Sequence, residues 1–151
     1  MSSETIELCE YVTVVIDGQS FGVPVLLVQD VLREQPLTHI PLAPAEIAGS
    51  LNLRGRVVTA IDLRTRLGVE RRVDDAPSMN VVVEQDGELY SLIVDAVGDV
   101  LALTMETYEP SPVTLDPLWL DLTAGLHRLD DDLMLILDIR QVLGEAVAEA
   151  A

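Results

Sequence analysis

The chain has 151 residues, 49% of them apolar and only 3% aromatic, which suffices for one domain or two very small halves sharing a core of Val, Leu, Ile and Ala. Its formal charge of −17 comes from 26 acidic residues against nine basic ones, all of them Arg, a balance that excludes nucleic acid as a partner and repels an anionic membrane surface. Cys9 is the only cysteine, so no internal disulfide forms, and no apolar run is long enough to span a bilayer.

In chain order, Met1-Ser2-Ser3-Glu4 lacks the basic and apolar regions of an export signal, and with the lone cysteine this predicts a cytoplasmic protein. Val12 to Ile16 alternates as a strand does. Asp17-Gly18 then favours a two-residue hairpin turn into Phe21-Gly22-Val23. Pro24 has no amide hydrogen to give, so the strand from Phe21 to Val28 is expected at an edge, or with Pro24 unpaired. Pro44 before Ala45-Glu46-Ile47-Ala48, with Gly49 behind, predicts a short helix. Asn52-Leu53-Arg54-Gly55 predicts a tight corner, with Gly55 and Asn52 tolerating unusual backbone angles, ahead of the strand Arg56 to Leu63. A second hairpin follows at Asp86-Gly87, between Val81-Val82-Val83 and Leu89 to Leu92. After the Pro-rich stretch Glu109 to Pro112, Asp116-Pro117 opens a short helix that closes before Gly125. The run Asp130-Asp131-Asp132 reads as a hairpin turn in water.

Laying the second half over the first exposes an internal duplication. Gly18 to Phe21, with Val23, Val25, Val28 and Asp30-Val31-Leu32, matches Gly87 to Tyr90, with Leu92, Val94, Val97 and Asp99-Val100-Leu101, at an offset of 87 − 18 = 69. Val57 to Arg64 with Leu67-Gly68 matches Leu133 to Arg140 with Leu143-Gly144 at 138 − 62 = 76, which also equates Ala48-Gly49 with Ala124-Gly125. The longer second connection falls at the Pro-rich stretch. Repeats over 11–68 and 80–144 thus form one domain of two packed halves, all-β with a few short helices: two small barrels side by side or a sandwich of the same strands.

The search for chemistry returns little. His39 and His127 are isolated, and with one cysteine no metal-ligand set forms. A lone His in such a chain is a hydrogen-bonded loop or rim residue sooner than a base. No phosphate loop, nucleophile elbow or cofactor motif occurs. Asp62 and Asp138 are the obvious pair to divide acid and base roles, as in a small carboxylate-dependent hydrolase. Each also follows an apolar strand and precedes Leu-Arg or Ile-Arg, where a carboxylate caps a short helical turn, with Gln141 three residues beyond Asp138.

Features shared by both copies mark scaffold, and those present once are candidates for function. Asn52-Leu53-Arg54-Gly55 is present once, its counterpart being Arg128-Leu129-Asp130-Asp131. Arg54 at such a corner either offers its forked guanidinium to a partner or pairs locally with Asp30 or Asp62.

Together these residues carry a likeness: Val28-Gln29-Asp30-Val31, Ile40-Pro41 with Pro44 and Ile47, Gly49 through Asn52-Leu53-Arg54-Gly55, Ile61-Asp62-Leu63-Arg64 and Leu135-Ile136-Leu137-Asp138. In this order and spacing, from Tyr11 to Gly144, the sequence resembles the CheW-like coupling proteins of chemotaxis and related pathways. The resemblance implies two five-stranded SH3-like barrels, no enzymatic activity and no cofactor. It implies two partners, the regulatory domain of a CheA-type histidine kinase and the cytoplasmic tip of a methyl-accepting chemoreceptor, which would hold the protein at membrane-bound receptor arrays. The coupling positions it implies here are Val28, Asp30, Gly49, Asn52, Arg54 and Gly55. Thr59-Ala60 stands where the family often has proline, and Asp30 where Glu is common. A purely structural cytoplasmic scaffold is the remaining alternative.

Overall fold

The computed structural model describes residues 8–70, 77–130 and 132–150, the last six of these by backbone alone. The expectation for Met1 to Glu4 lies outside them, as does Asp131.

The chain runs β1 (Cys9–Ile16), β2 (Gln19–Pro24), a 3-10 turn (Val25–Leu27), β3 (Val28–Arg33), β4 (Ile47–Leu53), β5 (Arg56–Asp62) and α1 (Leu63–Arg66). The second repeat gives β6 (Met79–Gln85), β7 (Glu88–Val94), β8 (Ala96–Leu103), a 3-10 turn (Met105–Thr107), β9 (Tyr108–Glu109), α2 (Pro117–Leu122), β10 (Thr123–Arg128), β11 (Leu133–Leu137) and α3 (Ile139–Ala150). The hairpin turns form for the predicted reason. Asp17 and Gly18 have φ of 52° and 78°, and Asp86 and Gly87 of 54° and 83°, the left-handed pairs that match strand twist.

The strands gather into two sheets, β8-β1-β2-β11-β10-β9 and β3-β6-β7-β5-β4, consistent with two SH3-like barrels. Neither sheet belongs to one repeat. The hairpin β1–β2 pairs with β8 and β11 of the second repeat, and its copy β6–β7 pairs with β3 and β5 of the first. The pairings of the two hairpins recur in duplicate: β2 lies parallel to β11 as β7 lies parallel to β5, and β1 lies antiparallel to β8 as β6 does to β3. The 3-10 turn after β2 carries the chain out of the first sheet and into β3 at the edge of the second. One buried cluster accordingly takes residues from both sheets, Val14, Phe21, Leu135 and Leu137 with Ile61, Leu63, Val81 and Leu92. Burial on this scale, shared between the sheets, is what makes either half dependent on the other.

One local expectation is corrected, and of the two alternatives for Pro24 the second is realised on the β11 side. The segment after Pro44 is a turn closed by Ile47 N–H donating to the Pro44 carbonyl at 2.9 Å, and Ile47 begins β4 rather than continuing a helix. The strand bearing Pro24 is internal, between β1 and β11. It tolerates the proline because Pro24 is its last residue and the β11 pairing stops at Gly22. The helix after Asp116 forms as α2, with the Asp116 carboxylate accepting from Leu118 N–H at 2.8 Å.

Candidate functional site

The corner predicted around Asn52 forms the two-residue turn between β4 and β5. Its strained residues differ from the expectation: the positive φ angles fall on Arg54 (51°) and Gly55 (85°), while Asn52 stays in the strand. Asn52 acts through its side chain, whose Oδ1 accepts from Gly55 N–H at 2.9 Å and holds the turn shut. Arg54 is thereby projected outward with its side chain 77% exposed.

Its guanidinium Nη2 lies 3.0 Å from Asp30 Oδ2, so the local pairing weighed from sequence is realised with Asp30 and not with Asp62. Asp30 sits on β3, one edge of the second sheet, and Arg54 at the end of β4, the other edge, so the ion pair spans the seam where the sheet curls on itself. The other Asp30 oxygen accepts from Val31 N–H at 2.9 Å. A β-bulge between Val28 and Asp30 aims that carboxylate, since the extra residue shifts the register against β6. An exposed pair of this kind adds little stability, which leaves Arg54 available to a competing carboxylate or carbonyl.

The other expected positions divide. Val28 is half-buried with its side chain on the core. The apolar groups that face water nearby are Leu26, at 94% exposure, and Val31. Sequence reasoning missed Leu26 because Val25 to Val28 reads as an unbroken apolar run, and only the 3-10 turn rotates one member outward. Gly49 is buried, with φ +150°, and a Cβ there would stand 2.7 Å from the Thr38 carbonyl oxygen. Its copy Gly125 has φ +151° against the Tyr108 ring, so both glycines admit the segment that closes each barrel edge. Gly49 therefore shapes the strand carrying Asn52 and Arg54 rather than presenting a surface.

Asp62 caps α1, its Oδ1 accepting from Arg64 N–H at 3.0 Å and Thr65 N–H at 3.4 Å. Asp138 caps α3 by accepting from Gln141 N–H at 3.3 Å. The two stand at the ends of strands in different sheets, each engaged with its own helix, an arrangement that does not favour shared acid–base work. Among the described residues no group of three or more His, Cys, Asp or Glu is placed to hold a metal ion. His127 is not at a rim: it is 1% exposed on β10, between Tyr11 and Tyr108, with Nδ1 2.8 Å from Thr107 Oγ1. Burial pushes its pKa down. The signal for this lay in the repeat, because at offset 76 its counterpart is Leu51, a core residue.

The family model of the CheW-like domain matches residues 10–147. The chain belongs to this family. Among similar CheW proteins is the probable chemotaxis protein CheW of Rhizobium etli, 31% identical over 136 residues, which are 90% of this chain and 88% of that protein. The chemotaxis protein CheW of Klebsiella aerogenes is 29% identical over 134 residues, covering 89% of this chain and 81% of its own. Among solved structures, the scaffolding protein TtCheW from Thermoanaerobacter tengcongensis superposes with a TM-score of 0.82 at 28% identity, over 91% of this chain and 94% of that one. A CheW-like chain of this kind is an adaptor of chemotaxis signalling, and the hydrolase reading is not favoured. No helix among its described residues is long and apolar enough to cross a membrane.

Proposed function

We propose that this CheW-like protein is a non-catalytic coupler that holds the regulatory domain of a CheA-type histidine kinase against the cytoplasmic tip of a methyl-accepting chemoreceptor. Its signal passes by relative placement of the two partners and not by chemistry. The observation that carries the reading is the Asp30–Arg54 pair, an ion pair at an exposed left-handed corner whose sequence Asn52-Leu53-Arg54-Gly55 stands in one copy of a duplicated scaffold and not in the other. A guanidinium at 77% exposure offers a forked donor that exchanges Asp30 for a partner group without exposing a buried charge. Val28, Asp30, Asn52, Arg54 and Gly55 form the partner surface, with Gly49 shaping the strand beneath it, in the cytoplasm beside membrane-bound receptor arrays.

The test reconstitutes receptor, kinase and this protein and follows receptor-dependent kinase autophosphorylation. Arg54→Glu removes the activation while the circular dichroism spectrum stays that of the parent. Full activation by Arg54→Glu contradicts the site. Loss of activation by neither that variant nor omission of the protein leaves a structural module with no signalling input.

A further inference from the structure

The two halves differ in one place where the duplication demands a match. In the first, α2 lies over the end of α1. Trp119 packs edge-on against Phe21 with ring centroids 5.3 Å apart, and its indole Nε1 donates to the Leu67 carbonyl at 2.9 Å. Leu118 closes over Gly68, 3.3 Å from where a Cβ would stand. The duplicate of this site is built from Tyr90 for Phe21, Leu143 for Leu67 and Gly144 for Gly68. The segment that should cover it is 41–46, where Pro41-Leu42 matches Pro117-Leu118 but Ala43 stands in place of Trp119. Leu42 is fully exposed there, and the segment is a turn instead of a helix.

A groove of about 540 Å³ is left open at that duplicate site, with Val57, Leu89, Tyr90 and Leu143 among its apolar lining and Arg140, Asp86 and Glu88 among its charged groups. Val57 is 71% exposed on its wall. The charge at the rim is also unmatched. Arg64 is held by Asp95 through two bonds of 2.8 and 2.7 Å, whereas among the described residues its copy Arg140 reaches only Asp86, at 3.7 Å, with both side chains over 70% exposed. The residue at the duplicate position of Asp95 is Leu26.

We propose that this groove is a docking socket for a partner protein that inserts one helical turn bearing a large aromatic side chain, as α2 and Trp119 do in the other half. The partner's turn also carries a carboxylate, which meets Arg140 as Asp95 meets Arg64. The occupant is defined by the molecule's own filled copy: an apolar floor with an aromatic wall takes a ring, and a cation without a close partner at its mouth takes an acid. Neither feature depends on the Asp30–Arg54 surface, so failure of this proposal leaves the coupling reading standing.

The probe is an acetylated and amidated peptide with the sequence of residues 115–123, titrated into the full ¹⁵N-labelled chain. Saturable amide shifts centred on Val57, Leu89, Tyr90, Arg140 and Leu143 are expected. Replacing the peptide's Trp by Ala, or Val57→Asp in the protein, is expected to weaken binding at least about tenfold. Val57 is exposed on its strand, so its substitution leaves the fold intact. Absence of shifts up to the solubility of the peptide, shifts centred elsewhere, or equal binding of the Trp-less peptide overturns the proposal. Shifts at these amides that follow the protein's own concentration overturn it in favour of a second copy of the chain.

Discussion

Arg64 and Arg140 occupy the same position of the duplicated sequence, and the structure assigns them different weights. The Arg64 side chain is 16% exposed and Asp95 14%. Its Nε and Nη2 reach the two oxygens of Asp95, and Nη1 donates to the Glu70 carbonyl at 2.6 Å. Hydrogen bonding to Asp95 raises the pKa of Arg64. Asp95 also accepts from Asp17 N–H at 2.8 Å, so the pair ties the β1–β2 turn of one sheet to α1 at the end of the other. Arg64→Met keeps the aliphatic stem and removes both charge-assisted bonds to the mostly buried Asp95 carboxylate, a loss of about 3 kcal/mol. With a urea m-value of about 2 kcal/mol/M for a chain of this size, the midpoint falls by about 1.5 M. Arg140→Met removes a contact of 3.7 Å between side chains 73% and 71% exposed, and costs no more than about 0.5 kcal/mol. Urea unfolding of both variants at neutral pH measures the difference, and 1 M NaCl leaves the Arg64 loss largely in place because buried pairs are poorly screened. Equal losses at the two positions refute the reasoning.

Two further outcomes follow from buried features. His127 has a folded-state pKa below its unfolded value because burial disfavours the charged ring, so its contribution is fully present above the unfolded pKa of about 6.5. As pH falls below that value the unfolded chain binds a proton that the folded chain refuses, and stability drops by up to about 1.4 kcal/mol per pH unit. Urea unfolding between about pH 5 and 7.5 is therefore expected to be steeper in pH for the parent than for His127→Leu, and parallel profiles contradict the account. Gly49→Ala and Gly125→Ala are each expected to lose at least about 2 kcal/mol, since a Cβ meets the Thr38 backbone or the Tyr108 ring, while Gly18→Ala, with open space around it, loses about 1 kcal/mol from its positive φ alone.

Where a feature depends on neighbours in sequence, the sequence shows it. Asp17-Gly18 and Asp86-Gly87 carry their turn type in two residues, Asp116-Pro117 opens α2, and the duplication was visible as two gapless blocks. The exchange of strands was not visible, because both repeats offer the same apolar faces, and pairing within a repeat or across repeats satisfies identical residues. The direction in which the 3-10 turn leaves β2 decides it, and no propensity encodes that. At the candidate site the same limit applies. The sequence pointed to Arg54 yet left Asp30, Asp62 and a partner as its rivals. Capping of α1 engages Asp62, and the bulge in β3 brings Asp30 to 3.0 Å from Arg54. The helix expected after Pro44 failed because Ile47 is claimed by the pairing with Ile61 in β5, a tertiary contact stronger than a four-residue propensity.

The coupling role is tested most directly by calorimetric titration of this protein into the regulatory domain of the CheA-type kinase from the same cell, with Arg54→Glu alongside. Saturable binding that the substitution weakens at least about tenfold is the predicted result. Absence of binding by the parent, or equal affinity of the two proteins, contradicts the account.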